Sequence, residues 1–234
     1  SLADLRPADV PAMALESNSP ASKRPPSRFR AVRRLFGGGA PDESGTEPET
    51  CDLCRRALAP EHRHVLERAT RRIFCVCDAC AQRATAAAGG LALIPREVRI
   101  LPTVCIPGAR WTELSCPAGL AFLRRAGPEK VLALHPGPAG VVELPLVTAV
   151  WDDLRIANPG FALLKPEVEV LLVDGRGAVR AAYLAPLDAG YELLGLVRTH
   201  WSGRWGGAEA RRMTDQFFGR LAAAAALALP VSCA

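Results

Sequence analysis

Two Cys-x-x-Cys pairs constrain this chain more than any other feature. Cys51-Asp-Leu-Cys54 is followed, after twenty-two intervening residues, by Cys77-Asp-Ala-Cys80, and Cys75 stands as a fifth thiol beside the second pair. Each pair can present two sulfurs to one ion, and two pairs complete a tetrahedron. The spacing is slightly longer than the usual paired-knuckle pattern and close to it. The first choice of ligands is Cys51, Cys54, Cys77 and Cys80. In an extended strand Cys75 and Cys77 face the same side, so Cys75 is a substitute ligand.

The residues between the pairs support a small folded module. Residues 62–67 (HRHVLE) and 71–76 (RRIFCV) read as two short strands joined at 68–70. Asp78 can cap a helix through residues 81–88, stopped by Gly89-Gly90. Knuckle, hairpin, then a knuckle on a helix N-terminus is a treble-clef or zinc-ribbon-like layout. The positive end of the helix favours thiolate, the form that binds metal. Zinc is the default ion for four thiolates, and iron or an iron–sulfur cluster uses the same ligands. A closed set of four protein ligands leaves no open position for a reaction at the metal.

His62 and His64 flank Arg63 and share one strand face. They read as an exposed pair, or as residues that orient a metal ligand or substitute for one. The arginines at 55, 56, 63, 68, 71 and 72 make the module locally basic. They read as solvated charges, with phosphate contact as the sharper alternative. The net charge of +5 permits a nucleic-acid partner without demanding one.

Residues 1–49 are rich in Pro, Ser, Ala and Arg, with little apolar periodicity, and read as a disordered tail. Residues 50–90 form the Cys-rich module, and 91–110 a linker with a strand at 98–101. Residues 111–228 form an α+β domain, and 229–234 a frayed tail. In the α+β domain, strands are expected at 119–123, 131–135, 141–144, 168–173 and 179–184. Helices are expected from a Thr148 cap to Asn158-Pro159, from an Asp188 cap to about His200, and from 208 to about 227. Hairpin-paired strands imply an antiparallel sheet covered by helices.

Of the eight cysteines, Cys105 and Cys116 read as ordinary thiols and Cys233 falls in the tail. The clustering of the rest fits metal binding better than a disulfide framework. No secretory signal is visible, and the longest apolar run, 221–231, is too short to span a bilayer. The expected location is cytoplasmic. Arg198, His200, Trp201, Arg204 and Trp205 surround a glycine break between two helices and are candidate partner-binding residues. Asp188, Glu192 and His200 carry no spacing that pairs a nucleophile with its base, so no catalytic residue is assigned and enzymatic activity is not favoured.

The chain resembles an uncharacterised bacterial family encoded beside nickel–iron hydrogenase genes. The shared residues begin with the Cys51-x-x-Cys54 knuckle, Pro60-Glu-His-Arg-His64, Ala69-Thr-Arg-Arg72 and Cys75-x-Cys77-x-x-Cys80. Further along they include Pro117-x-Gly-Leu-Ala-Phe122, Pro136-x-Pro-Ala-Gly140, Asn158-Pro159, Pro166-x-Val-Glu-x-Leu-Leu-Val173 and Arg198-x-His-Trp201 with Gly206-Gly207. The resemblance covers about residues 50–220. It implies an accessory role in hydrogenase assembly, metal handling or electron transfer, with a hydrogenase subunit or maturation factor as partner. Three functions follow in order of preference. They are a non-enzymatic accessory protein with a structural zinc module, an iron or iron–sulfur electron carrier, and a nucleic-acid-binding zinc finger.

Overall fold

The computed structural model describes residues 49–227, apart from 87, 88, 102, 103, 117, 128, 129, 138, 139, 179 and 203–206. Residues 1–48 of the tail expected to be disordered, and Arg204, Trp205 and Cys233, lie outside the described residues, whereas Glu49 at its end is described. The chain divides into two compact units that meet in sequence at Leu93 and Ile94. The architecture is α+β, as the sequence leads one to expect.

The first unit is built on three antiparallel strands in the order β2-β1-β3: β1 (Arg63–Glu67), β2 (Ile73–Val76) and β3 (Leu91–Leu93). Strand β3 was not anticipated. Val65 and Val76 are fully buried. They form a small apolar cluster with Cys51, Ala81 and Ala84. Asp78, expected as a cap, is instead the first residue of the helix α1 (Asp78–Ala86), directly after Cys77.

The second unit carries an eight-stranded sheet. Its strands are β4 (Val98–Leu101), β5 (Ser115–Cys116), β6 (Leu120–Arg125), β7 (Val131–Gly137), β8 (Gly140–Pro145), β9 (Glu169–Asp174), β10 (Ala181–Pro186) and β11 (Ala225–Leu227). The order is β11-β4-β10-β9-β6-β7-β8, with β5 paired to β6. Every pairing is antiparallel except β11 with β4, which is parallel. The last helix was expected to reach about 227. It ends at Ala224, and the chain continues as β11 beside β4.

Strand β9 (EVLLVD) is buried at five successive positions. Side chains alternate across a strand, so such a run requires cover on both faces. On one face Leu171 and Val173 of β9, Ala182 and Leu184 of β10, and Leu123 of β6 pack with Val150, Trp151 and Leu154 of α3 (Thr148–Ala157). The Trp151 ring stacks on Phe161, which sits in the 3-10 turn Pro159–Leu163. A short helix, α2 (Gly108–Leu114), contributes Leu114 to this cluster. The other face takes α4 (Leu187–His200) and α5 (Gly207–Ala224). There a Cβ on Gly190 would lie 2.6 Å from Val170 Cγ1, so helix and strand meet closely because that residue has no side chain. Tyr183 of β10 packs against Phe218 of α5.

Two further helix starts differ from expectation in the same way. Thr148 and Asp188 lie inside the first turn, and the residues flanking their helices are Val147 and Pro186, neither of which caps with a side chain. Asp188 Oδ1 instead accepts the N–H of Ala189. Cys105 is disulfide-bonded, not the ordinary thiol expected there. Among the described residues, no helix is long and apolar enough to cross a membrane.

Candidate metal centre

The first knuckle is a tight turn. Thr50 and Ala57 form an isolated antiparallel bridge across it. Inside it, the Cys51 N–H donates to the Arg56 carbonyl at 2.7 Å and the Arg55 N–H returns to the Cys51 carbonyl at 2.8 Å. Arg55 adopts a left-handed conformation (φ 63°), which lets the chain reverse directly after Cys54. The second knuckle is helical. The Ala81 N–H donates to the Cys77 carbonyl at 2.9 Å, so Cys77 and Cys80 project from the first turn of α1.

These turns converge. The sulfurs of Cys51, Cys54, Cys77 and Cys80 all lie within 4.8 Å of one another, an arrangement that could hold a metal ion. Cys54 Sγ and Cys77 Sγ are 3.7 Å apart. Sulfurs bound tetrahedrally at the usual zinc–thiolate length of about 2.3 Å are separated by about 3.8 Å. The donor set therefore fits one tetrahedral ion with little adjustment. A polynuclear cluster distributes its cysteines over several irons and would hold these sulfurs farther apart.

The site is graded in exposure. Cys51 is fully buried, Cys77 and Cys80 are half-buried and Cys54 is exposed. Burial pushes the Cys51 thiol up. Hydrogen bonds from the N–H groups of Cys77, Cys54 and Leu53 outweigh that and bring it down to about 7. Cys80 goes the other way, raised first by burial and then by hydrogen bonds and charge from the neighbouring sulfurs. Four sulfurs this close cannot all be anionic without a compensating cation, which is the condition a bound metal meets.

Cys75 does not join this group. Strand β2 ends at Val76 and α1 starts at Asp78, so the alternation of the strand does not carry through to Cys77. The structure instead places Cys75 with His62 and His64, whose ligand atoms and its own also lie within 4.8 Å of one another. Nothing in the Cys-x-x-Cys spacing points to this second group. The signal that could have found it is the hairpin register, which sets His64 opposite Cys75.

The basic residues are partly engaged within the module. Arg63 lies 3.6 Å from Asp78, and the Arg72 guanidinium stacks over Phe74. Of the candidate partner-binding residues in the second unit, Arg198 and His200 occupy the last turn of α4 and Trp201 follows it. All three are half-buried. Asp188 is buried and Glu192 is ion-paired to Arg220 at 2.7 Å.

Fold and site together define a protein in which a four-cysteine cluster able to hold a metal sits in one compact unit, joined to a helix-covered sheet in another. The chain belongs to a family of unknown function (DUF5947), whose model matches residues 50–225. No curated protein and no solved structure matches it.

Proposed function

We propose that this is a non-enzymatic accessory protein whose first unit is a structural zinc module of treble-clef type, and which assists nickel–iron hydrogenase assembly or function through protein–protein contacts. The observation that carries the metal half is the convergence of four sulfurs within 4.8 Å, with one pair at 3.7 Å. That separation suits a single ion of zinc size held by four thiolates, a ligand set that leaves no position for substrate. The partner half rests on the resemblance to a family encoded beside hydrogenase genes. Arg198, His200 and Trp201, at the end of α4, are the residues we assign to partner contact, with Arg204 and Trp205 beyond them in sequence.

Iron is the competing ion. A mononuclear iron centre uses the same geometry, and the exposed edge at Cys54 would suit an electron carrier. Elemental analysis and a visible spectrum of anaerobically purified full-length protein decide between them. Colourless protein with zinc, whose thiolate-bound ion is lost in Cys51→Ser/Cys54→Ser, is expected. Coloured protein with stoichiometric iron overturns the zinc assignment. For the cellular role, deleting the gene should lower the yield of assembled nickel–iron hydrogenase, restored by the wild-type chain and not by Cys51→Ser/Cys54→Ser. Unchanged hydrogenase assembly in the deletion strain overturns the accessory role.

A further inference from the structure

We infer that the first unit carries a second transition-metal site, made by His62, His64 and Cys75 and separate from the four-cysteine cluster. The three side chains converge through ordinary hairpin geometry. His64 of β1 is the direct cross-strand partner of Cys75 of β2, so the two project from the same face. His62 lies two residues before His64, immediately ahead of β1, and its ring meets that of His64. The imidazoles of His62 and His64 meet edge to face with ring centroids 4.8 Å apart. One ligand atom from each of His62, His64 and Cys75 lies within 4.8 Å of the other two.

Two further features are those of a built site. First, His62 is held in one orientation. Its Nδ1 lies 3.0 Å from the Ala59 carbonyl, to which it can only donate, and the Glu49 carboxylate lies 3.8 Å from the same nitrogen. A proton fixed on Nδ1 leaves the lone pair on Nε2. Metal-bound imidazoles are commonly oriented this way, by a carbonyl or carboxylate behind the ring. The Nε2 atoms of both His62 and His64 are buried, and the His62 side chain is only 5% exposed. Second, Cys75 is clamped through its backbone. Its N–H donates to Asp52 Oδ2 at 2.8 Å, and its carbonyl accepts the Asp52 N–H at 2.8 Å. Asp52 belongs to the first knuckle, so the turn that forms the four-cysteine cluster also fixes the third ligand here.

Two imidazoles and a thiolate are a borderline-soft donor set, suited to a divalent ion such as zinc or cobalt(II). Three protein ligands leave a fourth position for water or an exogenous donor, which the tetrathiolate cluster lacks. The two sites differ in that respect. One is closed by the protein, and the other would hold its ion in an exchangeable coordination sphere.

The test is titration of the reduced, metal-free full-length protein with cobalt(II) under anaerobic conditions. Two spectroscopically distinct equivalents are expected. One has the intense visible and thiolate charge-transfer bands of a tetrathiolate site, and the other the weaker charge transfer of a single-thiolate site. In His62→Asn/His64→Asn the second equivalent should be lost and the tetrathiolate bands kept, which also certifies that the module has folded. A wild-type protein that saturates with the tetrathiolate equivalent alone overturns the proposal, as does a double variant that still takes up both. Zinc-edge X-ray absorption on wild-type protein loaded with two zinc equivalents needs no variant. Imidazole scattering is expected, and a purely sulfur first shell overturns the site. Absence of the tetrathiolate bands bears on the four-cysteine assignment and leaves the single-thiolate signal to be read independently.

Discussion

The backbone N–H of Cys77 points at the sulfur of Cys51, 3.4 Å away, across a sequence gap of 26 residues. That contact ties the N-terminus of α1 to the first knuckle, beside the Cys54–Cys77 sulfur contact and the paired backbone hydrogen bonds between Asp52 and Cys75. The buried apolar cluster around it is small: Val65, Val76, Cys51 and two alanines, with Leu58, Phe74, Leu91 and Leu93 packed against it only partly buried. A unit of this size rarely holds together on such a core alone.

Metal removal should therefore unfold the first unit and spare the second. Ligand–metal bonds in comparable small modules supply on the order of 10 kcal/mol of folding free energy. Adding a strong chelator to the reduced protein should abolish amide-exchange protection in residues 49–93 while β9 and β10 remain protected. Retained protection of β1 and β2 without metal would show that the hairpin folds independently of the ion.

Glu169 supports the second unit from inside. It is fully buried at the start of β9 and accepts from Arg99 Nη2 at 2.9 and 2.7 Å and from the Lys165 N–H at 2.9 Å. Arg99 stands on β4, so the pair reaches across the intervening β10. Removing one partner of a buried pair leaves the other charged and desolvated, at a cost of about 3–5 kcal/mol. Glu169→Ala should lower the urea midpoint accordingly. Replacing both residues with apolar side chains of similar volume should recover much of the loss.

Gly190 sets the spacing between α4 and β9. An added methyl would stand 2.6 Å from Val170 Cγ1, inside van der Waals contact. Gly190→Ala gains helix propensity of about 1 kcal/mol and loses about 1–3 kcal/mol to overpacking. The net change in denaturation midpoint should be destabilising. Pairing it with Val170→Ala should return stability relative to the single variant, because the nearest atom, Val170 Cγ1, is removed by that change.

How far the sequence could be read depended on the range of the interactions involved. Strands β1, β2, β4, β6, β7, β8, β9 and β10 and helices α1, α3 and α4 were legible because their signals are local: alternation, turn residues and clustered apolar positions. Strand β11 was not, because residues 225–227 continue a helical run of alanine and leucine, and only pairing with β4 draws them into the sheet. Asn158-Pro159 read as a helix stop. The structure adds that Asn158 is buried and grips Cys105 by both amide ends, accepting its N–H at 2.7 Å and donating to its carbonyl at 2.9 Å. A bond spanning 53 residues leaves no trace in a local pattern. The same holds at the metal centre. The Cys-x-x-Cys pairs announced four sulfurs, but the company Cys75 keeps depends on where β2 ends.

His135 gives the second unit a pH dependence. It lies on β7, one strand in from the sheet edge at β8, and burial holds its pKa below the ordinary 6.5. In the unfolded chain the imidazole is solvated and titrates near 6.5. As pH falls through that value the unfolded state binds a proton that the folded state resists, so the free energy of unfolding declines. This contribution is fully present above about pH 7 and is lost as pH falls towards the folded pKa. The expected result is a urea midpoint for the second unit that drops between about pH 7.5 and 5. His135→Gln keeps a comparable polar volume without a titrating ring, and its midpoint should drop less over the same interval. Measuring both proteins with metal saturated at the higher pH, and following a probe confined to β7 or β9, separates this effect from acid release of the ion in the first unit. Parallel pH profiles for the two proteins would show that His135 charges equally easily in both states.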